Sequence, residues 1–357
     1  MDEEVVSFLR KVYREHYFKN HNLVEIPSMI ASREFGYIPF GGGMIRHLSY
    51  KNPGELFAEL VKQAPSSVFC SNAIYERPTL QMDEKGWKSA DLIFDIDADS
   101  IPTPCKTRHT WWYCNVCHKG GMGTKPARCP SCKDASVEQM HWSCRECLNA
   151  TKVHMKRLVD FLQDDFGIDR QGIRLYFSGN RGYHVQVRDE RFETADPQMR
   201  TEIANYVRGT GLSLKVQDKV PGHAEFGWGR RTSLFLAASE GVSRPRRNQK
   251  LTNQIVDANA ALIDESVTTD IHRVFRMPGT LHGNSGLLKM KVESLEDFDP
   301  QNQPVILSGE TVRVRIYYSP EFFLKGTRFG PYDSSTVQIP IYAAVFLLAR
   351  GLGVLVN

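Results

Sequence analysis

The sequence lacks a hydrophobic run long enough to cross a bilayer. Its apolar C-terminal stretch, 341–349, ends before Arg350, whereas a membrane-spanning helix needs about 20 apolar residues. We therefore expect a buried terminal helix there. The first residues include Asp2, Glu3 and Glu4, which excludes the basic-then-apolar pattern of a secretory signal. No internal repeat or low-complexity tract is present, so a repeat architecture is excluded as well.

The sequence also lacks a large excess of charge of either sign. The formal net charge of +4 does not by itself indicate a nucleic-acid partner. The exception is local, because residues 230–250 contain six basic side chains and one acidic side chain, Glu240. Two interpretations of this segment stay open: contact with a nucleic-acid backbone, or a solvated basic surface. The arginines concerned are Arg230, Arg231, Arg244, Arg246 and Arg247.

Hydrophobic periodicity predicts an α+β fold. At 357 residues the chain exceeds one ordinary domain, so we expect one core that carries insertions. The predicted elements are a helix over 1–18, strand-like pieces in 32–50, a strand over 91–97, a helix over 148–166, and strands over 175–177 and 183–188. The predicted core comprises 1–104, 148–190 and 262–357, interrupted by a cysteine-rich insertion over 105–147 and a basic, helical insertion over 191–261.

Six of the eight cysteines lie in Cys-x-x-Cys pairs. Each such turn directs two thiolates at one tetrahedral ion, which predicts structural zinc rather than disulfides. The first two pairs, separated by eleven residues, are Cys114 with Cys117 and Cys129 with Cys132. A closed shell of four ligands leaves no open position for substrate, so catalysis by this zinc is excluded.

The third pair, Cys144 and Cys147, needs two further ligands. Cys105 and His109 precede the first pair and are the expected partners, with His118 and His141 as alternatives. The number of zinc ions, one or two, stays open. The remaining cysteine, Cys70, is expected to be a small buried side chain.

Two carboxylates follow an apolar run at Leu92–Asp97. On a strand, Asp95 and Asp97 point to the same side, while Phe94 and Ile96 point to the core. Two carboxylates held this close repel each other unless a cation lies between them. Oxygen ligands of this kind suit Mg²⁺ or Mn²⁺.

Two basic groups accompany the carboxylates. The segment 178–184 combines two glycines, which allow a close backbone approach, with side chains suited to phosphate: Ser178, Arg181 and His184. Taken alone, the segment also fits a tight hairpin turn. A second group follows Asp270 and consists of Arg273, Arg276, His282 and Lys289. Carboxylates and cations in this combination indicate metal-dependent chemistry on a nucleoside triphosphate.

The motifs together resemble the small catalytic subunit of archaeal and eukaryotic DNA primases, the archaeal branch above all. The matching segments are spread over most of the chain in the family's order. They are Arg33–Phe40, Arg46–Tyr50, Phe94–Ala98, Ser178–His184 and Asp270–Gly283. The resemblance implies an archaeo-eukaryotic primase core with an RRM-like half, an N-terminal α/β half, a zinc-binding knob and a variable insertion.

The same resemblance assigns roles residue by residue. It implies that Asp95, Asp97 and Asp270 hold two Mg²⁺ or Mn²⁺ ions. It implies that the incoming nucleotide is held by Ser178, Arg181, His184, Arg276 and His282, with Arg46 nearby. Glu34 is a weaker candidate for arranging the metals or the sugar. Asn180 departs from the family, which often has two adjacent arginines in this loop. The third Cys-x-x-Cys pair exceeds the single zinc site of the shortest relatives.

The expected activity is DNA-templated synthesis of short RNA primers from nucleoside triphosphates on single-stranded DNA. The resemblance also implies a larger partner subunit that carries an iron–sulfur domain, and an archaeal cytoplasmic location, or a nuclear one in a eukaryote. Two alternatives remain: a related polymerase of DNA repair or lesion tolerance, and a non-enzymatic zinc-ribbon module that binds nucleic acid.

Overall fold

Two four-stranded antiparallel sheets form the centre of the molecule. The computed structural model describes residues 2–213, 226–238 and 249–356. The helices are α1 (Glu3–Lys19), α2 (Pro53–Gln63), α3 (Lys106–His109), α4 (Arg145–Asp160), α5 (Glu190–Glu193), α6 (Pro197–Arg208), α7 (Gly227–Ala238), α8 (Gln249–Asn259), α9 (Glu265–Thr269) and α10 (Ile341–Leu348).

The strands fall into six sheets within the described residues. They are β1 (Phe35–Ile38), β2 (Ile45–Leu48), β3 (Ser67–Ser71), β4 (Ala73–Tyr75), β5 (Trp87–Ala90), β6 (Leu92–Asp97), β7 (Thr110–Cys114), β8 (Gly120–Met122), β9 (Val137–His141), β10 (Ile173–Phe177), β11 (Gly182–Val187), β12 (Val274–Arg276), β13 (Met290–Lys291), β14 (Thr311–Ser319), β15 (Phe322–Leu324), β16 (Thr327–Phe329), β17 (Tyr332–Pro340) and β18 (Gly353–Leu355).

The first central sheet has the order β12-β3-β1-β2 and the second has the order β13-β10-β11-β6. The predicted strand over 91–97 is confirmed as β6, and the two predicted strands around the glycine-rich turn are β10 and β11. In β6 the alternation is as expected, because Phe94 and Ile96 are fully buried while Asp95 and Asp97 are partly exposed. The helix predicted over 1–18 is α1.

Glycine is required where β11 meets β6. Gly182 pairs with Asp97, and His184 pairs with Asp95. A Cβ atom on Gly182 would lie 2.4 Å from Asp97 Oδ1 and 2.6 Å from the carbonyl oxygen of Ile96. Only glycine therefore lets the turn approach the carboxylate edge of β6 this closely.

The cysteine-rich insertion forms a small sheet of its own, in the order β8-β7-β9. We call residues 105–147 the knob. Its aromatic side chains pack on the C-terminal part of the chain: Trp111 contacts Tyr318 with ring centroids 5.6 Å apart, and Trp142 stacks on Phe346 at 5.1 Å. The knob therefore shares its hydrophobic core with the rest of the protein.

The C-terminal segment packs as predicted. Seven of the eight residues of α10 are buried, and the helix contacts the sheet β17-β14-β18. No helix in the described ranges is both long and apolar enough to cross a membrane.

The basic insertion is helical where the structure describes it, in α5, α6, α7 and α8. Arg244, Arg246 and Arg247 lie outside the described residues. The mixed arrangement of helices and antiparallel sheets confirms the α+β prediction, whereas the division of the chain into inserted segments stays a prediction.

Candidate active site

The carboxylates of β6 lie at the edge where β11 begins. Asp95 Oδ1 is buried and accepts no hydrogen bond, and the ring nitrogen His184 Nε2 lies 3.4 Å from it. Burial, followed by repulsion from Asp97 and Asp264, raises the pKa of Asp95 to about 7. Burial also raises the pKa of Asp97, against the opposing effect of Arg181. Both shifts mean that burial and the neighbouring acids disfavour the charged form of these two carboxylates.

Asp264 is the third acid beside this pair. Its backbone N–H donates to the carbonyl oxygen of Asp95 at 2.9 Å, and its charge raises the pKa of both Asp95 and Asp97. Asp264 caps the N-terminus of α9, and its Oδ1 accepts from the backbone N–H of Ser266 at 2.9 Å. Its other oxygen, Oδ2, has no hydrogen-bond partner among the described residues.

Asp270, which the sequence interpretation placed in the triad, lies at the opposite end of the same helix. Its Oδ1 accepts from the backbone N–H of His272 at 2.9 Å, and its charge raises the pKa of Tyr75. The structure therefore brings Asp264, and not Asp270, to the carboxylate pair. Sequence reasoning missed Asp264 because its link to Asp95 joins backbone atoms far apart along the chain.

These acids fit a divalent cation. The three carboxylates lie close together, and the buried oxygen Asp95 Oδ1 has no hydrogen-bond partner. The pKa values of Asp95 and Asp97 are raised. A cation of the Mg²⁺ or Mn²⁺ class accepts such oxygen ligands and removes the repulsion among them.

A basic group faces the acids across β11 and β12. His184 is buried, and burial together with Lys289, Arg276 and Arg273 holds its pKa well below the usual value. Lys289 is 4% exposed and donates to the carbonyl oxygen of Arg276 at 2.7 Å. Burial, with repulsion from Arg276, lowers the pKa of Lys289 to about 7. These side chains concentrate positive charge, which favours the binding of an anion here.

Arg276 connects this group to the loop 178–184. Its guanidinium donates to the carbonyl oxygen of Ser178 at 3.3 Å, while its Nε is buried without a partner. Burial lowers the pKa of Arg276 to about 10. Ser178 Oγ accepts the backbone N–H of Gly182 at 3.1 Å, which fixes the turn. The turn interpretation and the anion-binding interpretation of this segment are thus compatible.

Arg181 and His282 complete the basic set. Arg181 forms an ion pair with Asp99 and lowers the pKa of Asp97, so its guanidinium lies beside the acids. His282 is buried, and its pKa is lowered by burial and then by Arg276 and by Arg350. Arg350 was not anticipated from the sequence; its guanidinium donates to Asn180 Oδ1 at 3.1 Å.

Arg46 is held by a buried carboxylate. Its Nε and Nη2 donate to the two oxygens of Glu34 at 2.9 and 3.1 Å, and Lys85 donates to one of them at 2.5 Å. The side chains of Glu34 and Lys85 are fully buried. Because both Glu34 oxygens are already bonded to cations, Glu34 is suited to positioning Arg46 rather than to binding a metal.

The knob contains two groups of metal-ligand atoms. In each group the four candidate ligand atoms lie within 4.8 Å of one another: Cys105, His109, Cys144 and Cys147 in one, and Cys114, Cys117, Cys129 and Cys132 in the other. Sulfur atoms of neighbouring cysteines lie 3.4–3.6 Å apart, too far for a disulfide and near the edge length of a tetrahedron around zinc. His118 and His141 belong to neither group.

Comparison with known proteins gives consistent matches. The family model described as DNA primase small subunit matches residues 125–294. The DNA primase small subunit PriS of Nitrosopumilus maritimus is 34% identical over 99% of this chain and 99% of its own length. That of Cenarchaeum symbiosum is 36% identical, again over 99% of both chains. Among solved structures, the polymerase domain of Mycobacterium tuberculosis ligase D in complex with DNA has a TM-score of 0.38 at 12% identity, covering 81% of this chain and 83% of that one; this likeness supports no conclusion about the chain.

Proposed function

The chain belongs to the DNA primase small-subunit family and is a DNA primase catalytic subunit; from that premise we propose that it synthesises short RNA primers on single-stranded DNA by two-metal nucleotidyl transfer. One observation carries the proposal. Three carboxylates, Asp95, Asp97 and Asp264, lie together on one side of the loop 178–184, whose Arg181 is joined by Arg276 and Lys289 in a basic group.

The acids are proposed to hold the catalytic ions. Asp95, Asp97 and Asp264 replace the predicted set that included Asp270. Bound Mg²⁺ or Mn²⁺ lowers the pKa of an attacking 3′-hydroxyl and stabilises the charge of the leaving pyrophosphate. In this proposal the protein contributes by fixing the three carboxylates on β6 and at the start of α9.

The basic side chains are proposed to hold the triphosphate of the incoming nucleotide. Arg181 and Arg276 supply fixed positive charge, and Arg273 adds charge further out. His184, His282 and Lys289 are buried with lowered pKa values, so they donate to phosphate oxygens most strongly once the anion has raised those pKa values again. Ser178 shapes the loop, and Arg46 is positioned by Glu34. Orientation of the phosphates for in-line attack is their main contribution.

The two ligand groups in the knob are proposed to bind one zinc ion each. Four ligands close each shell, so both ions are structural. Arg230 and Arg231 are paired with Asp164 and Asp165 at 2.6 Å, which favours packing over contact with the template for these two arginines. The larger partner subunit with its iron–sulfur domain, and a cytoplasmic location, remain part of the proposal on family grounds.

A primer-synthesis assay tests the proposal. Purified protein is given single-stranded DNA, ribonucleoside triphosphates and Mn²⁺, with no primer, and short RNA products are expected. Asp97→Asn removes one proposed ligand with little change of shape and should abolish the products. Products from Asp97→Asn at the wild-type rate would contradict the metal assignment. Extension of supplied primers without any de novo products would instead favour the repair-polymerase alternative.

A further inference from the structure

A cavity of about 510 Å³ lies between the knob, the hairpin β15–β16 and α10. This volume suits a small-molecule ligand. Neither the carboxylates of β6 nor Asp264 line it, although Asn180 and Arg181 of the loop 178–184 do. The loop therefore borders both the acids and this second cavity.

Four arginines line the cavity, and three of them have a carboxylate partner. The pairs are Arg108 with Glu146, Arg181 with Asp99, and Arg328 with Glu321. The fourth, Arg350, has no ion pair within the described ranges. It donates to the carbonyl oxygen of Phe346 at 2.6 Å and to Asn180 Oδ1 at 3.1 Å, and both acceptors are neutral.

Two aromatic rings also pack against the guanidinium of Arg350. Its guanidinium carbon lies 3.9 Å from the ring centroid of Phe346 and 5.0 Å from that of Trp142. Burial and repulsion from Arg181 lower the pKa of Arg350 to about 9. A part-buried cation without a counter-ion is unfavourable, so an anion entering the cavity gains from pairing with Arg350.

The other walls favour a planar ligand with a hydrogen-bond acceptor. Trp142 is 7% exposed, and its Nε1 donor is buried with no partner. Phe322 and Phe323 also line the cavity, and Phe323 is 43% exposed. Aromatic faces, an unpaired indole N–H and an uncompensated guanidinium together match a base and a phosphate.

We propose that this cavity binds a second nucleoside triphosphate, with a phosphate against Arg350 and the base among the aromatic walls. The inference rests on the proposed function, because starting a chain without a primer requires two nucleotides at once. The loop 178–184 then lies between the two nucleotides, with Arg181 bordering both sites and Asn180 bonded to Arg350.

Calorimetric titration with ATP distinguishes the two sites. Wild-type protein should bind two ATP molecules in Mn²⁺ and one when no Mn²⁺ or Mg²⁺ is added. Arg350→Ala should weaken the metal-independent site about tenfold or more, since a hydrogen bond to a charged group is lost. Asp97→Asn should remove only the Mn²⁺-dependent site.

Matched variants serve as controls for the ATP titration. Arg328→Ala also removes an arginine from the cavity wall, but one already paired, and should change the metal-independent affinity less than about threefold. Trp142→Phe keeps a ring beside Arg350, removes only the donor, and should weaken ATP while leaving the melting temperature nearly unchanged. Should Arg350→Ala not fold, Trp142→Phe and Arg350→Lys carry the comparison.

Two possible results distinguish a failure of the second site from a failure of the proposed function. A single ATP per chain in Mn²⁺, lost in both Arg350→Ala and Asp97→Asn, overturns the second site and places Arg350 in the first. A metal-independent site that depends on Arg350, without any Mn²⁺-dependent site, supports the cavity and contradicts the proposed function instead.

Discussion

The backbone N–H of Asp264 lies 2.9 Å from the carbonyl oxygen of Asp95. This hydrogen bond ties the start of α9 to β6 and brings a third carboxylate to a pair that already repels. The arrangement is therefore unfavourable without a cation.

Asp95 makes the stability of the metal-free protein depend on pH. Its pKa is raised to about 7 from an ordinary 3.8, so the folded state binds more protons than the unfolded state between these values, and stability falls as pH rises from about 4 to 8. Asp95→Asn removes this contribution. Chemical denaturation between about pH 4 and 8 should show the free energy of unfolding of wild type falling by up to about 4 kcal/mol relative to that of Asp95→Asn. A constant difference between the two proteins would contradict the raised pKa.

Gly182 should tolerate no side chain. Its Cβ would meet Asp97 Oδ1 at 2.4 Å and a backbone oxygen at 2.6 Å. Gly182→Ala should therefore cost about 1–3 kcal/mol of stability and weaken Mn²⁺ binding by displacing Asp97. Gly43→Ala is the control, because a Cβ there meets nothing within 4 Å, and thermal melts should show it within about 0.5 kcal/mol of wild type.

Zinc content should be two per chain. Elemental analysis of wild-type protein tests this, and Cys117→Ser and Cys147→Ser each remove a ligand from a different group. Either variant alone should retain about half the zinc, since the two shells share no ligand. One zinc in wild type, or complete loss in either single variant, would disprove two independent structural sites.

Glu34 is the buried carboxylate that holds Arg46, and removing one of its cationic partners should lower the stability of the protein. Lys85→Met leaves Glu34 buried with one cation fewer, and breaking a buried pair in this way costs about 3–5 kcal/mol. The double variant Lys85→Met/Glu34→Gln should recover part of that loss. Chemical denaturation of the two single variants and the double measures the coupling, and strictly additive losses would show that the pair does not interact.

Much of this arrangement follows from local patterns. The alternation of Leu92–Asp97 predicts both the strand and the shared side of Asp95 and Asp97, and the Cys-x-x-Cys spacing predicts that the knob gathers its ligands. The glycines of the loop 178–184 predict a tight turn. Each of these depends on residues close together along the chain.

The features that sequence reasoning missed are all long-range. Asp264 reaches Asp95 through a backbone contact, and Arg350 reaches Asn180 across 170 positions. Lys85 meets Glu34 across 51 positions. Hydrophobic periodicity along the sequence does not predict such contacts. The family resemblance implies Asp270 as the third acid, whereas Asp270 lies at the opposite end of the five-residue helix α9 from Asp264.

The most direct measurement compares Asp264→Asn with Asp270→Asn in primer synthesis with Mn²⁺ and no supplied primer. Both variants remove one negative charge from the ends of α9 with little change of shape. We predict that Asp264→Asn lowers the rate by about a hundredfold or more, since loss of a group that merely supports a metal ligand already costs about 10–100-fold. Asp270→Asn should stay within about threefold of wild type. The reverse ranking, or equal activity of both variants, would contradict the assignment of Asp264 as a metal ligand.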